Sequence, residues 1–204
     1  GKIGLMTDIN DDPILKGNDE DISDGPDGNS LISVGDKHYL VTHMEEAPGE
    51  LYNTEVKVEN GVFSAVNTKP VDLSAMGGTI INCASSKTVY GSHLGGEEDY
   101  SLNSIFADQN SPFYADCALD GTGNDMHGIA NYFCSYVDNK NKYLLDANID
   151  KTNGYNGDSF SPYNYGYIVE VQPQEDGSTK SAKHYVTGKY TPELASMMPD
   201  GKTI

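Results

Sequence analysis

The 204-residue chain contains no arginine and no tryptophan, and all 13 of its basic residues are lysine. Without arginine, two-pronged guanidinium recognition of an anion is excluded from this stretch. The lysines face 31 acidic residues, giving a formal net charge of −18. A surface this acidic repels nucleic acid and anionic membrane, so neither is an expected partner. It repels small anions too, unless bound cations reverse the local sign. No apolar run approaches the length of a membrane span, and no signal peptide is visible at Gly1-Lys2-Ile3-Gly4. Cysteines are few. The spacing of Cys83, Cys117 and Cys134 suits no zinc ribbon, redox Cys-x-x-Cys or haem attachment site. In an oxidising compartment Cys117 and Cys134 would bridge across a loop and leave Cys83 single; in a reducing one all would be buried thiols. No clean internal repeat is legible either.

What is abundant points to strands. Glycine numbers 22, and tyrosine outnumbers phenylalanine 14 to 5. Gly, Asn and Asp break helices, whereas Tyr, Val, Ile and Thr suit sheets, so the expected fold class is all-β. The length allows one domain with a real core, although 37% hydrophobic residues and a mean hydropathy of −0.52 keep that core modest. Residues 1–7 read as a first strand. Residues 8–29 read as a long acidic loop, either a cation site or a solvated loop, without a complete EF-hand pattern. Residues 30–34 and 37–43 alternate about Gly35-Asp36, and residues 52–59 and 62–66 flank Asn60-Gly61, so two hairpins are expected to form one four-stranded antiparallel unit. Residues 101–165 are a loop-rich insert, with strands plausible at 129–137 and 142–145 and a cation-friendly turn at 120–125. Residues 165–171 alternate as a strand. Pro199-Asp200-Gly201-Lys202-Thr203-Ile204 reads as a tight turn feeding a new strand that the chain stops just inside, which suggests a fragment of a longer polypeptide or one product of a cleavage.

The chain is organised around residues 81–100. An apolar run (79–82) delivers Cys83, and a second (88–94) delivers Glu97 and Glu98 after Gly95-Gly96, glycines expected to let the backbone bend. A thiolate and carboxylates meeting at one point suit a transition metal better than a hydrophobic core. The alternative is a buried thiol beside a solvated strand end.

Asn82-Cys83-Ala84, then Thr88-Val89-Tyr90-Gly91-Ser92-His93-Leu94 and Glu97-Glu98, resembles the Asn-Cys-Ala-Gly-Gly…Thr-Pro-Trp-Gly-Thr-Trp-Leu-Thr-Cys-Glu-Glu signature of PhoX-type alkaline phosphatases. These are bacterial secreted β-propellers with an iron centre that has a cysteine ligand, together with calcium. In this chain Val89 stands for the proline, Tyr90 and His93 for tryptophans, and Gly96 for the second cysteine. The segment from Pro26 to Ile32, with Tyr39-Leu40-Val41-Thr42-His43-Met44-Glu45-Glu46, is similar to the family's N-terminal metal-site blade. That match carries Asp27 and Glu45 over as ligands. Read alone, Asp27 is equally a turn residue bonding its own backbone, and His43 is a packed histidine. Tyr165-Gly166-Tyr167-Ile168-Val169-Glu170-Val171 resembles the family's His-Gly-Tyr-Val-Phe-Glu-Val. Gly188-Lys189-Tyr190-Thr191-Pro192-Glu193-Leu194-Ala195 resembles Gly-Arg-Phe-Ala-His-Glu-Ala, placing the family's glutamate ligand on Glu193.

The resemblance implies that residues 1–204 are a single partial β-propeller domain, about half of a larger propeller of four-stranded blades, secreted to the periplasm or the extracellular space. It implies a metal centre of iron and calcium held by Cys83, Glu97 or Glu98, Glu193, Glu45 and Asp27, and hydrolysis of a small phosphate ester. Other ligands and a basic phosphate contact would come from beyond Ile204. The missing C-terminal half or a partner chain is therefore expected to complete the sheet, and the fragment alone is not expected to catalyse. A non-catalytic, metal-binding propeller serving as a binding or assembly module is the alternative. A redox role for an iron–thiolate centre is a third reading, with no haem or flavin site to support it.

Overall fold

The computed structural model describes residues 4–7, 12–13, 15–16, 19–46, 49–98 and 165–204. The insert at 101–164, including Cys117, Cys134 and the turn and strands expected there, lies outside the described residues.

Two hairpin turns build the first sheet. Strands β3 (Pro26–Val34) and β4 (Lys37–Met44) join at Gly35, whose φ of +58° only glycine adopts without cost. Strands β5 (Glu50–Glu59) and β6 (Val62–Pro70) join at Asn60 and Gly61, with φ of +53° and +78°, the paired positive values that twist a two-residue hairpin correctly. The sheet runs β3-β4-β5-β6, all antiparallel, as the sequence leads one to expect. Strand β3 begins earlier than expected: Pro26 already pairs with Met44, and a bulge takes up the residues before Asn29. The acidic stretch before it also holds a short hairpin, β1 (Leu15–Lys16) with β2 (Asp19–Glu20). Residues 5 and 7 make only isolated bridges, to Ile22 and Pro13, and are not a strand. Thr7 is nevertheless anchored, because its N–H and hydroxyl donate to the buried Glu50 carboxylate at 3.0 and 2.9 Å.

The second sheet runs β10-β9-β8-β7, again an antiparallel meander: β7 (Asn82–Lys87), β8 (His93–Glu97), β9 (Ile168–Pro173) and β10 (Thr179–Lys183). Residues 88–92 form a turn instead of extending the strand. The Thr88 hydroxyl accepts from the N–H groups of Tyr90 and Ser92, and Gly91 has a φ of +75°. At the far end, Asp200 Oδ1 accepts from Lys202 and Thr203 N–H, so the expected turn is present, with no strand after it among the described residues.

Ile32, Val41 and Leu51 of the first sheet pack with Val71, Leu73, Val169 and Val171 as one core between the sheets. Leu94, Ile168 and Ala195 make a smaller cluster under the C-terminal segment. The first strands of the sheets, β3 and β7, lie against each other, and β4 also touches β7. The ligand-bearing ends of these strands meet at that junction. Neither sheet closes on itself among the described residues. No described helix is long and apolar enough to cross a membrane.

Leu51, fully buried in the shared core, and Val62, 65% exposed on the edge strand, make a contrasting pair. Leu51→Ala should cost about 3 kcal/mol in urea unfolding. Val62→Ala should change stability by less than about 0.5 kcal/mol.

Candidate metal centre

Cys83 sits on β7 inside an irregularity: Asn82 pairs with Glu97, yet the next regular pair is Ser85 with Gly95. Asp27 sits inside the matching irregularity of β3, between Pro26 and Asn29. A bulge re-aims a side chain that strict alternation would send elsewhere. Here it turns both side chains to one point, with Cys83 Sγ 3.3 Å from Asp27 Oδ2. The residue leading into β7 is also unusual. Ile81 is β-branched yet has a φ of +42°, a conformation such residues rarely adopt. Two backbone hydrogen bonds hold it: its N–H donates to Glu46 O at 2.8 Å, and its carbonyl accepts from Glu98 N–H at 2.9 Å. The strained residue therefore ties together the segments carrying Glu45, Cys83 and Glu98.

Among the described residues two three-residue groups result, and they share the sulfur. Asp27, Glu45 and Cys83 present ligand atoms within 4.8 Å of one another, and so do Cys83, Glu98 and Glu193. Cys83 is buried, Asp27 and Glu98 are half-buried, and Glu45 and Glu193 are exposed. The site thus opens to solvent on one side.

Glycines permit this convergence. A Cβ on Gly28 would lie 2.6 Å from Ser85 Cβ and 2.8 Å from the Cys83 carbonyl oxygen, so a side chain there would push β3 and Asp27 off β7. A Cβ on Gly96 would lie 1.9 Å from the Pro192 carbonyl oxygen, the residue beside Glu193. A Cβ on Gly95 would lie 1.8 Å from His43 Cε1. Neither Gly95 nor Gly96 has a positive φ, so the expectation that they bend the chain is corrected: they clear space inside a strand. The Glu193 segment is further held by Ser86 Oγ donating to Ala195 O at 2.6 Å and by Tyr190 N–H donating to Gly166 O at 3.0 Å.

Glu97 does not join either group. Its side chain is fully buried, and Oε1 lies 3.0 Å from Lys183 Nζ, itself without solvent exposure. Oε1 also accepts from Ile80 N–H at 3.3 Å, and Oε2 from Gly166 and Tyr167 N–H at 2.9 and 3.0 Å. Lys183 donates in addition to Gly78 O at 3.0 Å and stands over the Tyr165 ring. Burial pushes the Glu97 carboxyl up and the Lys183 ammonium down, and their mutual attraction with these hydrogen bonds opposes both shifts. Alternation along β8 places Glu97 opposite Glu98, and only Glu98 reaches the sulfur. Lys183 carried no signal in the sequence.

The electrostatics at the sulfur describe a site with excess negative charge. Burial pushes the Cys83 thiol far up, with its hydrogen bonds to the Glu98 and Asp27 carboxylates and the charge of Glu45 adding to it. Burial also raises the Glu45 carboxyl, reinforced by Asp27 and Glu98. A thiol and four carboxylates in this arrangement fit cations: hard carboxylate oxygens with one soft sulfur, open on one face. Beneath them, His43 is lowered to about 4, chiefly by burial, and His93 is also depressed by burial and by His43.

The profile of the family described as alkaline phosphatase PhoX matches residues 52–204, well over half of the chain. The chain belongs to the PhoX alkaline phosphatase family. The match covers Cys83, Glu97, Glu98 and Glu193, and Asp27 and Glu45 precede it. No match was found among curated proteins or among solved structures. Against the PhoX signature, His93 in place of tryptophan is fully buried, and Lys189 in place of arginine donates to Tyr165 O at 2.8 Å.

Removing the cation beside a buried carboxylate is costly, so Lys183→Met should destabilise the chain by about 4 kcal/mol in urea unfolding. Glu97→Gln in the same chain should recover part of that loss, because the uncompensated charge is gone. Cation binding has its own signature. The thiol must lose its proton to bind, so affinity should rise with pH and calorimetry should register proton release.

Proposed function

We propose that this protein is a metal-dependent phosphoric ester hydrolase of the PhoX type, with iron and calcium held by Cys83, Asp27, Glu45, Glu98 and Glu193. The observation that carries this is the sharing of one sulfur by two carboxylate groups whose members come from distant parts of the chain. Family membership supports the reaction class, and the donor set supports the choice of metals: thiolate favours iron over calcium, and a surplus of carboxylates favours calcium as its companion. Glu97, assigned to the buried pair with Lys183, is left out of the ligand set.

Cations bound at this site would supply the positive charge that draws in a phosphate ester and lowers the pKa of a bound water. The chain's own residues do the rest. Exposed Glu45 and Glu193 border the open side, where substrate would enter, while buried Cys83 closes the other. The β3–β7 contact through Gly28 and the Gly96–Pro192 contact fix the spacing of the two groups. We read the paired antiparallel meanders as blades of a β-propeller, with residues 1–204 one partial domain and the first strands nearest the axis. A secreted or periplasmic location follows from the family reading. The alternative of a non-catalytic metal-binding module draws support from the absence of arginine.

Metal analysis combined with turnover of a chromogenic phosphate monoester, with and without added iron and calcium, tests the proposal. The expected result is metal-dependent hydrolysis, with Cys83→Ala losing bound iron and activity together. Glu98→Gln should weaken metal binding more than Glu97→Gln. Iron bound at full occupancy without hydrolysis would replace the enzyme by the module. Iron retained by Cys83→Ala would remove the site altogether.

A further inference from the structure

His43 on β4 and His93 on β8 are both fully buried, and their rings meet edge to face with Nε2 2.6 Å from Nε2. A contact that short between two ring nitrogens requires one hydrogen between them. The other end of the chain of contacts says which ring supplies it. His43 Nδ1 lies 2.8 Å from the Cys83 carbonyl oxygen, which can only accept, so Nδ1 carries a hydrogen. A neutral imidazole has one N–H, so His43 Nε2 is bare and accepts, and His93 Nε2 donates. His93 Nδ1 is then left as a buried lone pair, with no hydrogen-bond partner among the described residues. The resulting sequence of donors runs one way, from His93 through His43 to the backbone of Cys83.

This relay crosses between sheets. His43 belongs to the first sheet, while Cys83 and His93 belong to the second. Glu45 lies two residues after His43, the spacing that along an extended chain returns a side chain to the same face. The ring of His43 has a built seat, because Gly95 leaves the space that any side chain would take. We propose that His43 and His93 are positioning residues of the metal centre, a one-way imidazole clamp that fixes the Cys83 backbone against the segment that leads from β4 to Glu45. This inference rests on the metal-centre reading given above. Neither histidine is among the residues that present ligand atoms there.

Cobalt(II) is a suitable probe, since a thiolate-to-cobalt charge-transfer band reports sulfur ligation and its position reports geometry. The chain is titrated with cobalt as wild type, His43→Leu, His43→Gln and His93→Leu, with circular dichroism confirming the β-sheet signature. Losing the clamp should weaken cobalt binding by on the order of tenfold in His43→Leu and shift the band, as loss of a partner supporting a metal ligand does. His43→Gln, which keeps an N–H for the Cys83 carbonyl, should restore most of both. His93→Leu should shift the band although His93 presents no ligand atom to either group. Nitrogen NMR of the labelled imidazoles provides a test without any variant: His43 protonated at Nδ1, His93 at Nε2, and a coupling across the Nε2–Nε2 hydrogen bond. An unchanged band and affinity in both leucine variants would overturn the clamp while leaving the metal centre standing. The reversed tautomers in the NMR spectra would overturn it as well. No charge-transfer band in the wild type would overturn the centre itself, and the clamp with it.

Discussion

Crowding of negative charge around one sulfur is the constraint on which the rest of this structure depends. Asp27, Glu45, Glu98 and Glu193 come from widely separated points in the chain and reach the same thiol. Left to themselves, such groups repel. Burial first, and the neighbouring carboxylates after it, make the Cys83 thiol and the Glu45 carboxyl hold their protons more tightly than usual. Holding the groups together against that repulsion falls to the backbone, through bulges on β3 and β7 and the hydrogen-bonded, positive-φ Ile81.

A neighbouring carboxylate solves the same problem differently. Glu97 and Glu98 are consecutive, yet one meets solvent and sulfur while the other is sealed with Lys183 and three backbone N–H groups. A buried pair of this kind is weak evidence for added stability, because desolvation offsets the attraction. Its effect is one of specificity: it draws the 78–80 segment, the 166–167 segment and β10 to a single anchor beneath the site.

Much of this was legible in the sequence, for physical reasons that differ from place to place. Gly35-Asp36 and Asn60-Gly61 announced their hairpins because few residues accept those turns, and the four-stranded sheet followed from them. Cys83 and Glu98 stand out within the 81–100 stretch itself, whereas Glu193, Asp27 and Glu45 come only from the motif resemblance, since no local pattern links residues so far apart. Glu97 and Glu98 could not be told apart, because which carboxylate faces the sulfur depends on the register between β7 and β8. The roles of Lys183 and His93 were hidden for the same reason: each acts through a partner from a remote strand. The glycines of β8 were visible but misread, as a residue chosen for flexibility and one chosen for its small size look alike in one dimension. The early start of β3 was missed because Pro26 to Asn29 carries turn-forming residues that the bulge accommodates.

Gly28, Gly95 and Gly96 contribute no functional atom, yet each occupies a point where two backbones, or a backbone and a ring, are already in contact. A survey of tolerated substitutions would therefore rank these positions with the ligands themselves. Anyone transplanting the centre into another scaffold would have to carry over the bare spots along with the acids, because what they transmit is distance.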